Sequence, residues 1–161
     1  MTDYKTLLDQ GIFDIQDGMF ESAIKNIDKS LELKRDWEIP YFYRAVAHQA
    51  LEQYNEAMID YTKAIQINPK MTDAYYNRAY INLTRKDIEN PDLKKIITDL
   101  EKALEIDPEF IDALYAMACA QKKLGDYHKT LEYLEKLLQI QPDAINAKAL
   151  KKLILQKYII E

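Results

Sequence analysis

Apolar residues recur along most of this chain at three- and four-residue steps, the spacing that places them on one face of a helix. The pattern is clear from Tyr41 to Gln53 and again from Asn55 to Ile67. It then repeats over longer distances. A small residue stands at Gly11, Ala45, Ala79 and Ala118, and four positions before each comes a bulky one, Leu7, Tyr41, Tyr75 and Leu114. A second set runs Ala23, Ala57, Ile96 and Thr130, followed by Ile27, Tyr61, Leu100 and Leu134, then by Ser30, Ala64, Ala103 and Leu137. The first two columns step by 34, 34 and 39 residues, and the last three by 34, 39 and 34. Both sequences of steps hold only if five extra residues lie between Ala79 and Ile96. Each unit therefore predicts helix, turn, helix, and the third carries an insertion at Lys86 to Asn90, expected to project as a longer turn.

The punctuation agrees. Pro69, Pro108 and Pro142 close three of the units, and Gly18 and Gly125 sit at internal turns. Small residues at the crossing of two helices let the backbones approach, and the bulky residue a turn away fills the adjoining space. After the insertion, Asn90-Pro91-Asp92 has the pattern of an N-cap, a first-turn proline and a carboxylate suited to a helix start, so helix is expected to resume near Pro91. The residual stretch from Ile145 to Tyr158 places Ile145, Ala149, Leu150, Leu153 and Ile154 on one side and Lys148, Lys151, Lys152 and Lys157 over most of the rest. Terminal repeats need a polar-faced cap, and this helix has that pattern. The expected organisation is one all-α domain over 1–161: repeats at about 4–37, 38–71, 72–110 and 111–144, then a capping helix at 145–158.

Composition narrows the function. The chain has 161 residues, 48% hydrophobic and 30% charged, with three glycines and a net charge of −5. That is an ordinary soluble mixture, and the acidic balance argues against a nucleic-acid partner, whose phosphates need a basic face. The opening residues lack a basic stretch followed by an apolar run, and the longest charge-free stretch, Ala113 to Gln121, is too short to span a membrane. Cys119 is the single cysteine, which fits a reducing compartment. A cytoplasmic protein with no membrane partner is the expectation. His48 and His128 lie 80 residues apart with no second ligand at helix spacing, Cys119 has no histidine near it in sequence, and no glycine-rich phosphate loop occurs. Carboxylate pairs such as Asp14 with Asp17 have the spacing of solvated helix faces. The sequence thus nominates no catalytic residue, metal site or cofactor, and predicts a protein that is not an enzyme.

The units resemble tetratricopeptide repeats over residues 4–144. The fourth carries Leu124-Gly125-Asp126-Tyr127 at its internal turn and Pro142 at its close, and the third opens with Tyr75-Tyr76-Asn77-Arg78-Ala79. The second has Leu51-Glu52-Gln53-Tyr54, keeping the aromatic and losing the glycine, and Arg35 replaces the closing proline of the first. The resemblance implies a TPR-like α-solenoid, a right-handed superhelical array of antiparallel helix pairs. It implies a protein–protein interaction scaffold, with a concave groove lined by the first helix of each pair and holding a peptide or partner helix.

Within that frame, helical geometry places Leu8, Ile12, Phe42, Val46, Tyr76, Tyr80, Tyr115 and Cys119 on the inner face, with Ile39, Tyr43 and Asn77 beside them. The candidate groove is therefore Leu8, Ile12, Ile39, Phe42, Tyr43, Val46, Tyr76, Asn77, Tyr80 and Tyr115: apolar, rich in tyrosine, and suited to a protein or peptide. Phe42 and Val46 are expected to face Tyr76 and Tyr80. The alternative for any one of these side chains is packing between neighbouring first helices. Relatives that clamp a C-terminal carboxylate do so with Lys, Asn, Asn, Lys and Arg. The matching positions here are Leu8, Ile12, Tyr43, Asp73 and Asn77, which lack the charge-assisted partners. Two other roles stay open: a chaperone-like protein shielding a secretion substrate, and a self-associating module (a homo-oligomer) joined through Tyr158-Ile159-Ile160.

Overall fold

The computed structural model describes residues 3–158. Among them lie nine helices and no strand: α1 (Tyr4–Gln16), α2 (Phe20–Leu33), α3 (Glu38–Ala50), α4 (Tyr54–Ile67), α5 (Thr72–Thr84), α6 (Leu93–Ile106), α7 (Ile111–Leu124), α8 (Tyr127–Ile140) and α9 (Ile145–Tyr158). The described residues fall into two compact units, one running through Ala74 and the other starting at Tyr75, so the division lies in the first turn of α5.

In the first unit α1 packs on α2 and α3 on α4, with α2 and α3 joining the two hairpins. The close crossing of α1 and α2 is made at Gly11. A Cβ placed there would lie 2.6 Å from Ile27 Cγ1 and 3.2 Å from the Ala23 carbonyl oxygen, so only glycine fits without movement. Leu8, Ile27 and Leu31 form the core of this hairpin, covered by Trp37, Ile39, Tyr41 and Tyr43. In α3 and α4, Ala45, Ala57, Tyr61 and Ala64 are fully buried.

The second unit holds two linked cores. Ala79 and Leu83 of α5 meet Ile96, Leu100 and Ala103 of α6 and Ala113, Ala116, Met117 and Ala120 of α7. Leu114 and Ala118, on the other side of α7, meet Leu134 and Leu137 of α8 and Ala147, Leu150 and Ile154 of α9. From the repeat columns read in the sequence, Ile27, Ala79, Ile96, Leu100, Ala103, Leu114, Ala118, Leu134 and Leu137 thus lie in these cores.

Three expectations are corrected in detail. The helix after the insertion starts at Leu93, two residues beyond Pro91, because Asp92 is the N-cap and accepts from the Lys95 N–H at 3.2 Å. The buried stripe of α9 is Ala147, Leu150 and Ile154, whereas Ile145 is 80% exposed and Leu153 42%. The helix is rotated relative to the face that the apolar count suggested, and Tyr158 at its end stacks on Tyr127 with centroids 4.1 Å apart. Asp14 is not solvated. It is 2% exposed and accepts from Gln10, Ser22 and Asn26 at 2.7–2.9 Å. The tail residues Ile159 and Ile160 lie outside the described residues.

The internal turns of the first, second and fourth repeats share one backbone solution. Gly18 and Gly125 adopt positive φ, 75° and 85°, and Glu52 adopts 59° at the equivalent place in the second repeat. A side chain in that region is strained, and the second repeat carries this cost where two others use glycine.

Candidate peptide-binding surface

The first helices α1, α3, α5 and α7 position the candidate residues. In the first unit Ile12, Ile39 and Tyr43 are half-buried and rest on the Leu8–Ile27–Leu31 core. Leu8 itself is 2% exposed, so it belongs to that core and offers no surface. Its counterparts in later repeats are larger, and Ile39 and Tyr43 of the following first helix pack against the cluster that contains Leu8. Phe42 is half-buried, edge-on to Tyr43 at 5.4 Å and tilted against the buried Tyr61 at 5.8 Å. Val46 is half-buried one turn further along α3.

In the second unit Tyr76 and Tyr80 form a pair on α5 with centroids 5.7 Å apart, and Tyr80 is 40% exposed. Phe110, at the N-terminal cap of α7, extends this pair into a row, its ring 5.1 Å from Tyr76. Burial, reinforced by the negative Asp112, pushes the Tyr76 phenol up to about 12, so it remains a neutral hydroxyl at physiological pH. Asn77 is half-buried beside the row. Tyr115 is half-buried on α7, where partial burial, with a smaller influence of Cys119, raises its pKa. The same burial raises the Cys119 thiol, which makes it a poor nucleophile. No grouping of histidine, cysteine and carboxylates suited to a metal ion occurs among the described residues.

Polar clamps that the apolar columns pass over hold the helices behind this face. Arg44 on α3 forks onto Asp60 of α4 through Nε and Nη2, both at 2.7 Å, and reaches Asp28 of α2 at 2.6 Å. Its pKa is raised chiefly by the bond to Asp60. Arg78 on α5 makes the same fork onto Asp99 of α6 at 2.8 and 2.7 Å. Bidentate guanidinium–carboxylate pairs of this kind fix both distance and orientation. The signal was present in the sequence: Arg44 and Arg78 step by 34, and Asp60 and Asp99 by 39, in phase with the apolar columns.

Residues 39–71 match the model of the tetratricopeptide repeat, and residues 111–161 match that of the Fis1 C-terminal tetratricopeptide repeat. The chain belongs to the tetratricopeptide-repeat family. The human tetratricopeptide repeat protein 12 is 32% identical over 83 residues, half of this chain and 12% of that protein. The chain spans 12–13% of the length of the curated relatives it matches. A crystal structure of MamA protein superposes with a TM-score of 0.84 at 21% identity, covering 95% of this chain and 81% of that one. The first TPR domain of Spaghetti (RPAP3), solved bound to the HSP90 peptide SRMEEVD, gives 0.70 at 21% identity over 76% of this chain and 94% of that one. At such identities the likeness establishes the fold. No helix among the described residues is long and apolar enough to cross a membrane.

Proposed function

We propose that this tetratricopeptide-repeat chain is a non-enzymatic, cytoplasmic scaffold that holds a peptide or helix of a partner protein against its first helices. The observation that carries the reading is the row Tyr80–Tyr76–Phe110, in which Tyr80 is 40% exposed and Tyr76 and Phe110, though packed against the core, are only half-buried. Rigid aromatic side chains with few rotamers concentrate binding energy when a partner covers them. The proposed contact residues are Ile12, Ile39, Phe42, Tyr43 and Val46 on the first unit and, as a separate surface, Tyr76, Asn77, Tyr80 and Tyr115 on the second, with Phe110 added there and the buried Leu8 removed from the first. The RPAP3 domain with its bound HSP90 peptide supports the idea that this fold can hold an extended segment. The acidic character of that peptide does not transfer, because the three positions where relatives place the basic clamp residues are here Leu8, Asp73 and Asn77, and the two where they place asparagine are Ile12 and Tyr43. The test is affinity capture from the native cell with quantitative mass spectrometry, comparing the parent with the Tyr76→Ala, Tyr80→Ala double variant. The partner that is enriched by the parent should fall at least about tenfold with the variant. Equal capture by a folded double variant would refute the reading.

A further inference from the structure

Immediately after Phe110 in sequence, α7 forms one wall of a cleft of about 490 Å³, with Ile111, Asp112 and Tyr115 on that side and the 143–147 segment leading into α9 on the other. Its floor is apolar, with Leu137 and Ala147 buried beneath it. Among the described residues, its charged lining groups are the carboxylates of Asp112 and Asp143. Both side chains are exposed, and neither has an ion-pair partner among the described residues. No lysine or arginine lines the cleft, whereas along α8 Glu132 is met by Lys136 at 2.7 Å and Glu135 by Lys151 of α9 at 3.0 Å.

From this juxtaposition we infer that the second unit selects partner segments carrying a lysine or arginine, whose cationic head enters the cleft between Asp112 and Asp143 while a neighbouring apolar side chain covers Tyr76, Tyr80 and Phe110. The inference rests on the peptide-binding reading and adds the chemistry of the occupant. Three features favour a cation. Two carboxylates lining one cleft can form charge-assisted hydrogen bonds with an ammonium or guanidinium group. Tyr115 presents an aromatic ring at the wall, where the long aliphatic stem of such a residue can pack and its charge can meet the π-face. An acidic segment would bring like charge against Asp112 and Asp143 with no lysine or arginine in the cleft to offset it. The field of Asp112 also reaches the Tyr76 phenol, which places the carboxylate and the aromatic row within one electrostatic environment.

The experiment is selection of a random dodecapeptide phage library on the intact chain, followed by fluorescence anisotropy with the enriched peptides. The expected result is enrichment of lysine or arginine next to an aromatic or aliphatic residue. The dissociation constant should rise about tenfold in the Asp112→Asn, Asp143→Asn variant and rise similarly for the parent between about 50 and about 300 mM salt. Replacing the basic residue of the peptide by norleucine tests the same contact without altering the protein. That peptide should bind parent and variant equally, and more weakly than the lysine peptide binds the parent. Enriched peptides that are neutral or acidic, and that lose binding with Tyr76→Ala and Tyr80→Ala, would overturn the cation inference and leave the groove standing. A library yielding no binder sensitive to the tyrosine pair would overturn both.

Discussion

The capping helix allows a test in which two neighbouring apolar residues should behave oppositely. Ile154 is fully buried against Leu134 and Leu137 of α8, whereas Leu153, next to it in sequence, is 42% exposed. Ile154→Ala removes three carbons, about 2.4 kcal/mol of transfer free energy at about 0.8 kcal/mol each. The cavity left behind adds to this and brings the expected loss to about 3–4 kcal/mol. Leu153→Ala should cost under about 1 kcal/mol. In a domain of this size those losses correspond to a fall in Tm of about 6–16 °C against less than about 4 °C. Far-UV circular dichroism during urea and thermal unfolding reports both units. Fluorescence of the single tryptophan, Trp37, reports the first unit, so the two signals together locate the destabilised part. Equal loss in the two variants would refute this orientation of α9 and restore the face read from the sequence, which put Leu153 and Ile154 together on the apolar side.

Further outcomes follow from single positions. Gly11→Ala should destabilise by about 1–3 kcal/mol, since the added carbon would meet the enclosed Ile27 side chain and the Ala23 carbonyl, and a denaturant midpoint measures it. Glu52→Gly should stabilise by about 0.5–1 kcal/mol by relieving the left-handed backbone at φ 59°, readable as a raised Tm. Asp14, whose carboxyl is held below its ordinary value chiefly by the Ser22 hydroxyl and also by Gln10 and Asn26, should contribute stability that is full above the unfolded value of 3.8 and lost as pH falls through the lower folded value. Melts of parent and Asp14→Asn at neutral pH and near pH 3 should therefore converge at the acid end.

Most of the fold was legible because its spacing is redundant. Gly11, Ala45, Ala79 and Ala118 recur at steps that only a helix-pair repeat satisfies, and each proves to be buried. The errors have a common source. Helix α9 carries two apolar stripes, Ile145–Ala149–Leu153 and Ala147–Leu150–Ile154, and periodicity cannot choose between them; contact with Leu134 and Leu137 does. Asp14 has the sequence surroundings of a solvated carboxylate, and its donors Ser22 and Asn26 arrive only when α2 folds back on α1. Leu8 fits the rule for a groove position, yet burial depends on what the next first helix packs against its cluster, which is Ile39 and Tyr43. The Asp112–Asp143 cleft joins residues of one helix and a later turn, so no local pattern announces it.

The groove residues and the core residues of α5 divide the helix between them, and that division sets the final expectation. Arg78 stands two positions from Tyr76 and from Tyr80, roughly on the opposite side of the helix, where it grips Asp99. Ala79 and Leu83 point into the core with Leu100 and Met117. Removing both tyrosine rings leaves that grip intact and takes from that core only the packing of the half-buried Tyr76. Tyr80, with little to lose, should cost under about 1 kcal/mol, and Tyr76, half-buried against Phe110, about 1–3 kcal/mol. The double alanine variant should therefore keep its helicity and melt cooperatively at a somewhat lower temperature, while the Arg78→Ala variant, which leaves the poorly exposed Asp99 without its fork, should lose more than either single tyrosine variant. Collapse of the double variant would place the tyrosines in the core and remove the proposed surface. A folded double variant alongside a strongly destabilised Arg78→Ala would separate the part of α5 that holds the repeat together from the part left free for a partner.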